Sequence, residues 1–114
     1  MKTWKRILKY DLKTYDSPGI YTLQINGVSA QPLSVAEQDG KLMLWAMVEE
    51  WISDEVADIH CELSVVVWAT GHPIFDVTFE GVDFIGTVVM STGFVWHVCA
   101  GNCTESVSNE ADIE

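Results

Sequence analysis

Apolar and polar residues alternate along most of this chain with a period of two, the spacing that places side chains on one face of a β-strand. Each alternating run ends at residues that favour turns, so each run predicts a separate strand. The predicted strands are Lys5–Leu12, Ile20–Ile25, Leu33–Gln38, Lys41–Val48, Cys61–Thr70, Phe84–Met90 and Phe94–Ala100. The acidic segment Glu50–Asp58 departs from this period, and it predicts a loop or one short helical excursion.

Three glycine-containing turns are predicted between these strands. Asp39–Gly40 lies between two alternating runs and most strongly predicts a β-hairpin, because both residue types readily take positive φ angles. Asn26–Gly27 predicts a second tight turn on the same grounds, and Ser91–Gly93 joins the last two strands. These turns favour antiparallel pairing of strands that are neighbours in sequence.

Several of the strands are apolar on both faces. In the fourth, Leu42 and Leu44 point one way while Met43 and Trp45 point the other. A single sheet with one solvated face would alternate apolar and polar residues, so the second face must also be covered, by another sheet or another subunit. We therefore predict an all-β fold, a small antiparallel β-sandwich or partly open β-barrel, that associates as a homo-oligomer.

The chain has 114 residues, of which 48% are hydrophobic, and this composition predicts one folded domain. We assign residues 1–100 to this domain and expect residues 101–114, which are acidic and poor in aliphatic side chains, to form a disordered tail. The first residues lack the apolar core of a signal peptide, and no window is apolar enough for a membrane-spanning helix. A cytoplasmic protein with reduced cysteines is the expectation.

The formal net charge is −11, and it is unevenly distributed along the sequence. Five of the six basic residues lie in the first thirteen positions, and Lys41 is the sixth. A protein with this charge repels the phosphates of nucleic acids and membranes, except at its basic first strand. The complementary partner is therefore a basic protein, which could itself bind nucleic acid. The alternative is that the charge serves solubility alone.

A concentrated group of carboxylates around one tryptophan is the candidate site for this partner. It comprises Glu49, Glu50, Trp51, Asp54, Glu55 and Asp58. The tryptophan would anchor an interface while the carboxylates steer the partner and imitate a phosphate backbone. The competing interpretation is an ordinary solvated loop.

Histidine and cysteine residues offer weaker candidates for chemistry. His72 lies between Gly71 and Pro73, a context typical of a turn at a strand exit rather than of a catalytic base. A set of metal ligands could be supplied by His97, Cys99 and Cys103, together with His60–Cys61. No paired-cysteine motif accompanies these residues, and thiols in apolar strands are usually core residues. We predict no catalytic residue, no metal and no cofactor.

Three segments carry a resemblance to a known group of proteins. They are similar to motifs of a family of small uncharacterised phage and bacterial proteins. The segments are Leu44–Val48 (LWAMV), Thr70–Ile74 (TGHPI) and Ile85–Thr87 (IGT), the last followed by His97–Val98. The family is a domain of unknown function with no assigned catalytic residues. The acidic segment near residues 50–60 and the acidic tail depart from its pattern.

Three functions are compatible with these observations. The first is a phage-encoded, non-enzymatic accessory protein that acts in the host cytoplasm, where it binds and inhibits a host protein such as a component of a nuclease-based defence system. The second is a small oligomeric structural or assembly protein of a phage. The third, with least support, is a small-molecule binding module or enzyme built around His72 and the tryptophans.

Overall fold

The computed structural model describes residues 3–12, 19–52, 59–73, 80–104 and 106–107, and the secondary structure of this part of the chain consists of β-strands and turns. The strands are β1 (Thr3–Asp11), β2 (Gly19–Asn26), β3 (Ser29–Gln38), β4 (Lys41–Trp51), β5 (Ile59–Ala69), β6 (Asp83–Val89), β7 (Val95–Ala100), β8 (Cys103–Thr104) and β9 (Ser106–Val107). Within the described ranges there is no helix long and apolar enough to cross a membrane.

The strands form two antiparallel sheets. Sheet A has the order β1-β4-β3-β8, and sheet B has the order β2-β5-β7-β6, with β9 paired to β5. The predicted all-β fold is confirmed, and the arrangement is a small β-sandwich in which each sheet covers one face of the other.

The core lies between the inner faces of the two sheets. Alternate residues of the central strands β4 and β5 supply it, and none of them is more than 2% exposed: Leu42, Leu44, Ala46, Val48, Cys61, Leu63, Val65 and Val67. Each fully buried aliphatic side chain stabilises the fold by roughly 2 kcal/mol relative to an exposed one. This shared core accounts for the apolar residues at alternate positions of β4 and β5.

One side chain of sheet A spans the outer face of β4. Lys9 of β1 pairs opposite Trp45, and its Nζ donates a hydrogen bond to Gln38 Oε1 of β3. Because β1 and β3 lie on opposite sides of β4, this bond passes across the face that carries Met43, Trp45 and Met47. Met43 is 9% exposed, and Trp45 and Met47 are partly exposed.

Two of the predicted turns are confirmed. Asp39 and Gly40 have φ values of 55° and 79°, the left-handed conformations required by a two-residue hairpin between β3 and β4. The β6–β7 connection ends at Gly93, with φ 102°, and Gly93 N–H donates to the Met90 carbonyl at 2.9 Å.

The predicted tight turn at Asn26–Gly27 is wrong. Neither residue has a positive φ, because the chain does not fold back there but passes from β2 in sheet B to β3 in sheet A. Glycine is needed at position 27 for a different reason. A Cβ atom on Gly27 would lie 2.7 Å from the Glu49 carbonyl oxygen and 2.8 Å from Val48 Cγ1.

Two element boundaries differ from the prediction. Strand β4 continues to Trp51, so Glu50 and Trp51 belong to a sheet and not to the predicted loop or helical excursion; residues 53–58 lie outside the described part of the chain. Strands β8 and β9 lie within segment 101–114, which the sequence assigned to the tail, and residues 108–114 lie outside the described part.

Candidate functional site

The start of β1 and the end of β4 form a structured tip at one end of sheet A. In the antiparallel register Thr3 lies opposite Trp51 and Trp4 lies opposite Glu50. We call Thr3, Trp4, Arg6, Glu49, Glu50 and Trp51 the strand tip. It contains three of the six residues selected from the sequence and adds Thr3, Trp4 and Arg6, which were not selected.

Glu50 is the centre of the strand tip. Its two carboxylate oxygens accept hydrogen bonds from Arg6 Nε at 2.9 Å and Arg6 Nη2 at 3.0 Å, and one of them also accepts from Trp4 Nε1 at 2.9 Å. The forked contact with Arg6, and secondarily the bond from Trp4, lower the pKa of Glu50 below its usual value. The carboxylate therefore stays ionised and fixes both partners.

Trp4 is held at one edge while much of its ring remains in solvent. Its side chain is tethered through Nε1, yet the residue is 52% exposed. A half-exposed indole with a fixed orientation loses little conformational entropy when a partner covers it. This property distinguishes Trp4 from an exposed apolar side chain that rotates freely.

Glu49 points to the opposite face of sheet A, where it joins three strands. Its oxygens accept hydrogen bonds from Thr3 Oγ1 of β1 at 2.6 Å and from Ser29 Oγ of β3 at 3.3 Å. Glu49 and Glu50 therefore both act as internal acceptors that hold neighbouring strands at the end of β4.

Trp51 completes the strand tip on the same face as Glu49. The residue is half-buried, and its indole Nε1 is buried without a hydrogen-bond partner among the residues that the structure describes. An unpaired buried donor of this kind typically costs about 1–3 kcal/mol. Ile52, which is 47% exposed, follows it directly, and the remaining predicted site residues (Asp54, Glu55 and Asp58) lie outside the described residues.

His72 occupies the turn predicted for it. Its backbone N–H donates to the Ala69 carbonyl at 3.1 Å, and Gly71, the residue before it, has a φ of 91°. Only glycine adopts this conformation readily, and this accounts for the Gly-His-Pro sequence. The His72 side chain is exposed at the end of β5.

The residues considered as metal ligands do not converge. His97 and Cys99 lie on the outer face of sheet B, whereas Cys103 lies in the core between the sheets. Cys103 shares a thiol hydrogen bond there with Cys61, and burial raises the pKa of Cys61 to about 12. No group of three His, Cys, Asp or Glu side chains in the described ranges is arranged to hold a metal.

His97 instead belongs to a compact polar group on the outer face of sheet B. Its Nε2 lies 2.7 Å from Thr70 Oγ1 and its Nδ1 lies 2.9 Å from Thr87 Oγ1. A hydroxyl can donate or accept, so a neutral imidazole satisfies both bonds, donating at one nitrogen and accepting at the other. The Trp68 ring lies 5.6 Å away, and the two threonines account for both ring nitrogens.

Residues 3–108 match the family model of a domain of unknown function, DUF7352. The chain belongs to this family. The match includes every strand of both sheets, so the sandwich as a whole, including the strand tip, lies within the DUF7352 domain. Membership of an uncharacterised family, expected from the sequence motifs, is thus confirmed. No curated protein and no solved structure matches the sequence.

Proposed function

We propose that this DUF7352 protein is a non-enzymatic accessory protein, encoded by a phage, that binds and inhibits a basic host protein through the strand tip and the acidic segment that follows it. The proposed target is a nucleic-acid-binding protein of the host cytoplasm, of the kind used in nuclease-based defence. The observation that carries the proposal is the fixed and half-exposed Trp4, held by Glu50, which Arg6 clamps in turn.

Tryptophan and arginine are the residue types most often found at the energetic centre of protein interfaces. Their value there depends on a fixed orientation, because rotamer-rich side chains lose entropy on binding. At the strand tip a single carboxylate orients both residues before any partner arrives. Burial of the exposed half of Trp4 would then contribute to binding with little opposing entropy.

Charge supports a basic partner. The Arg6 guanidinium is neutralised by Glu50 at 2.9 Å, which leaves Lys5 as the neighbouring cation of β1 in a protein with a net charge of −11. Three further carboxylates (Asp54, Glu55 and Asp58) follow in the sequence directly after the tip. Opposite charge on a partner would accelerate the encounter, and the association would weaken as salt screens it.

The resemblance to small phage and bacterial proteins supports a phage origin. A phage protein that imitates nucleic acid would need carboxylates beside a side chain that anchors the interface. In this chain Trp4–Arg6 pairs with the end of β4, and the carboxylates of Asp54, Glu55 and Asp58 follow that strand in the sequence. This juxtaposition makes inhibition of a nucleic-acid-binding protein the preferred form of the proposal.

The test is capture of proteins from host lysate by the immobilised full-length chain. The variant is Trp4→Ala, and the matched control is Ile7→Ala, which removes an equally exposed apolar side chain (57%) from the same strand. We expect a specific protein to be retained by the wild type and the control and to be lost at least tenfold with Trp4→Ala. Equal retention by both variants would contradict the proposed role of the strand tip.

A second comparison tests the acidic segment. Charge reversal of Asp54, Glu55 and Asp58 to Lys should abolish capture, while reversal of Glu105, Glu110 and Asp112 to Lys changes the net charge equally in a different part of the sequence. Loss of capture with only the first triple variant supports the proposal. Loss with both would show that overall charge alone governs retention.

A further inference from the structure

Two of the three cysteines meet in the core between the sheets. Cys61 of β5 in sheet B is completely buried, and Cys103 of β8 in sheet A is 6% exposed. Both are free thiols, and they share a hydrogen bond. Cys99, the third cysteine, lies on the outer face of sheet B and takes no part in this contact.

The path of the chain after β7 holds Cys103 in place. Gly101 N–H donates to the Ser64 carbonyl of β5 at 3.1 Å, and β9 pairs with β5 again at His60. Between these two attachments the chain departs from sheet B as β8, and Cys103 pairs with β3 in sheet A. Cys103 is therefore fixed on both sides along the stretch of β5 that contains Cys61.

We propose that Cys61 and Cys103 are a redox modification site, at which an exchangeable disulfide such as oxidised glutathione converts the two thiols into a disulfide between the sheets. A disulfide requires neighbouring backbones and side chains that are directed at one another. Cα atoms of β8 lie within 8 Å of Cα atoms of β5, and the two thiols are already in contact. The link joins the edge of sheet A covalently to a central strand of sheet B.

The two cysteines have different roles in the exchange. Burial raises the pKa of both thiols, but hydrogen bonds from Cys61 and from the Ala30 backbone partly offset this rise at Cys103, whereas the pKa of Cys61 reaches about 12. Cys103 therefore attacks the oxidant as a thiolate and forms a mixed disulfide, with release of one half of the oxidant as a thiolate. Cys61 then loses its proton and attacks the Cys103 sulfur, and the other half leaves. Two protein thiols are oxidised to one disulfide while one disulfide is reduced to two thiols.

Burial determines when the exchange takes place. Both thiols are covered in the folded chain, so the oxidant reaches them while the chain folds, before β8 and β9 pair with their neighbours. The same burial then protects the disulfide from external thiols, because an attacking thiolate must reach one of its sulfur atoms.

The test is refolding of the reduced, urea-unfolded full chain with oxidised glutathione in excess, followed by peptide mapping in a mass spectrometer. The test variants are Cys61→Ala and Cys103→Ala, and the matched control is Cys99→Ala, which removes a thiol outside the pair. We expect the wild type and the control to lose two hydrogens and to yield peptides joined through Cys61 and Cys103. Each test variant should carry no internal disulfide.

A second measurement compares the stability of the oxidised and reduced proteins. The link closes a loop of about forty residues and restricts the unfolded chain, so the urea midpoint of the oxidised wild type should be about 1–2 M higher than that of the reduced protein. Cys103→Ala should have the same midpoint after either treatment. A refolded wild type that keeps Cys61 and Cys103 as thiols, or that links Cys99 instead, overturns the proposal, as does an oxidised wild type whose midpoint is not raised.

Discussion

Replacing Gly27 with alanine should destabilise the sandwich at the point where the chain passes from one sheet to the other. The new methyl group would lie 2.7 Å from the Glu49 carbonyl oxygen and 2.8 Å from Val48 Cγ1. The carbonyl has little freedom to move away, because it already accepts a hydrogen bond from Val28 N–H at 2.8 Å. The Gly27 φ is not positive, so alanine adopts the local backbone without strain and the clash is the effect on the folded state.

The magnitude follows from two opposing effects. Overpacking a well-packed site of this kind costs about 1–3 kcal/mol. Removing a glycine also restricts the unfolded chain and returns about 0.4–1 kcal/mol of stability. We therefore expect a net loss of about 1–2 kcal/mol in the free energy of unfolding. In urea denaturation followed by tryptophan fluorescence, the midpoint should fall by about 0.5–1 M for a slope of roughly 2 kcal/mol/M.

Gly19→Ala is the matched control. Its Cβ would have Tyr21 Oη as its nearest neighbour, at 3.6 Å, which is an ordinary van der Waals contact, and Gly19 also lacks a positive φ. The control should be neutral or slightly stabilising. A Gly27→Ala protein with the same midpoint as Gly19→Ala would refute the close packing of the crossover against β4.

Three further predictions concern titratable side chains. Because its folded-state pKa is lowered, Glu50 contributes stability above the usual carboxyl pKa and loses it as pH falls through the lowered value, so the difference in melting temperature between the wild type and Glu50→Gln should disappear in acid. Burial raises the pKa of Cys61 to about 12, so the neutral thiol contributes its full stability to the fold below the usual thiol pKa, and this stability is lost as pH rises toward 12. At neutral pH an aromatic disulfide reagent should therefore react with Cys61 only after the protein unfolds. His97→Ala removes two hydrogen bonds at a half-buried position, and chemical denaturation should show a loss of about 1–2 kcal/mol without loss of fold.

Alternation of apolar and polar residues predicted nearly all of the strands, because a strand's side-chain period is local information. The hairpin at Asp39–Gly40 was predictable for the same reason, since its residues carry the conformational preference themselves. The crossover at Gly27 was not. Glycine is required there because the Glu49 carbonyl, twenty-two residues away in the sequence, leaves no room for a Cβ atom. The residues next to Gly27 do not distinguish this steric requirement from the conformational requirement of a tight turn.

The strand tip shows the same limit. Glu49, Glu50 and Trp51 could be selected from the sequence because they are adjacent and unusual in type. Trp4 and Arg6 could not, since their roles depend on the pairing of β1 with β4, over a separation of more than forty residues. The basic character of the first strand was visible, but its use as the clamp for Glu50 required the register.

Site-specific photocrosslinking tests the central claim that the strand tip binds a host protein. A photoreactive phenylalanine analogue is introduced at Ile52, which is 47% exposed beside Trp51, and at Leu33, which is 41% exposed in the middle of β3, and each protein is irradiated in host cells. We expect one adduct of defined mass from position 52, its loss when Trp4→Ala is added, and none from position 33. No adduct from position 52, or an equal yield from position 33 or after Trp4→Ala, would contradict the claim.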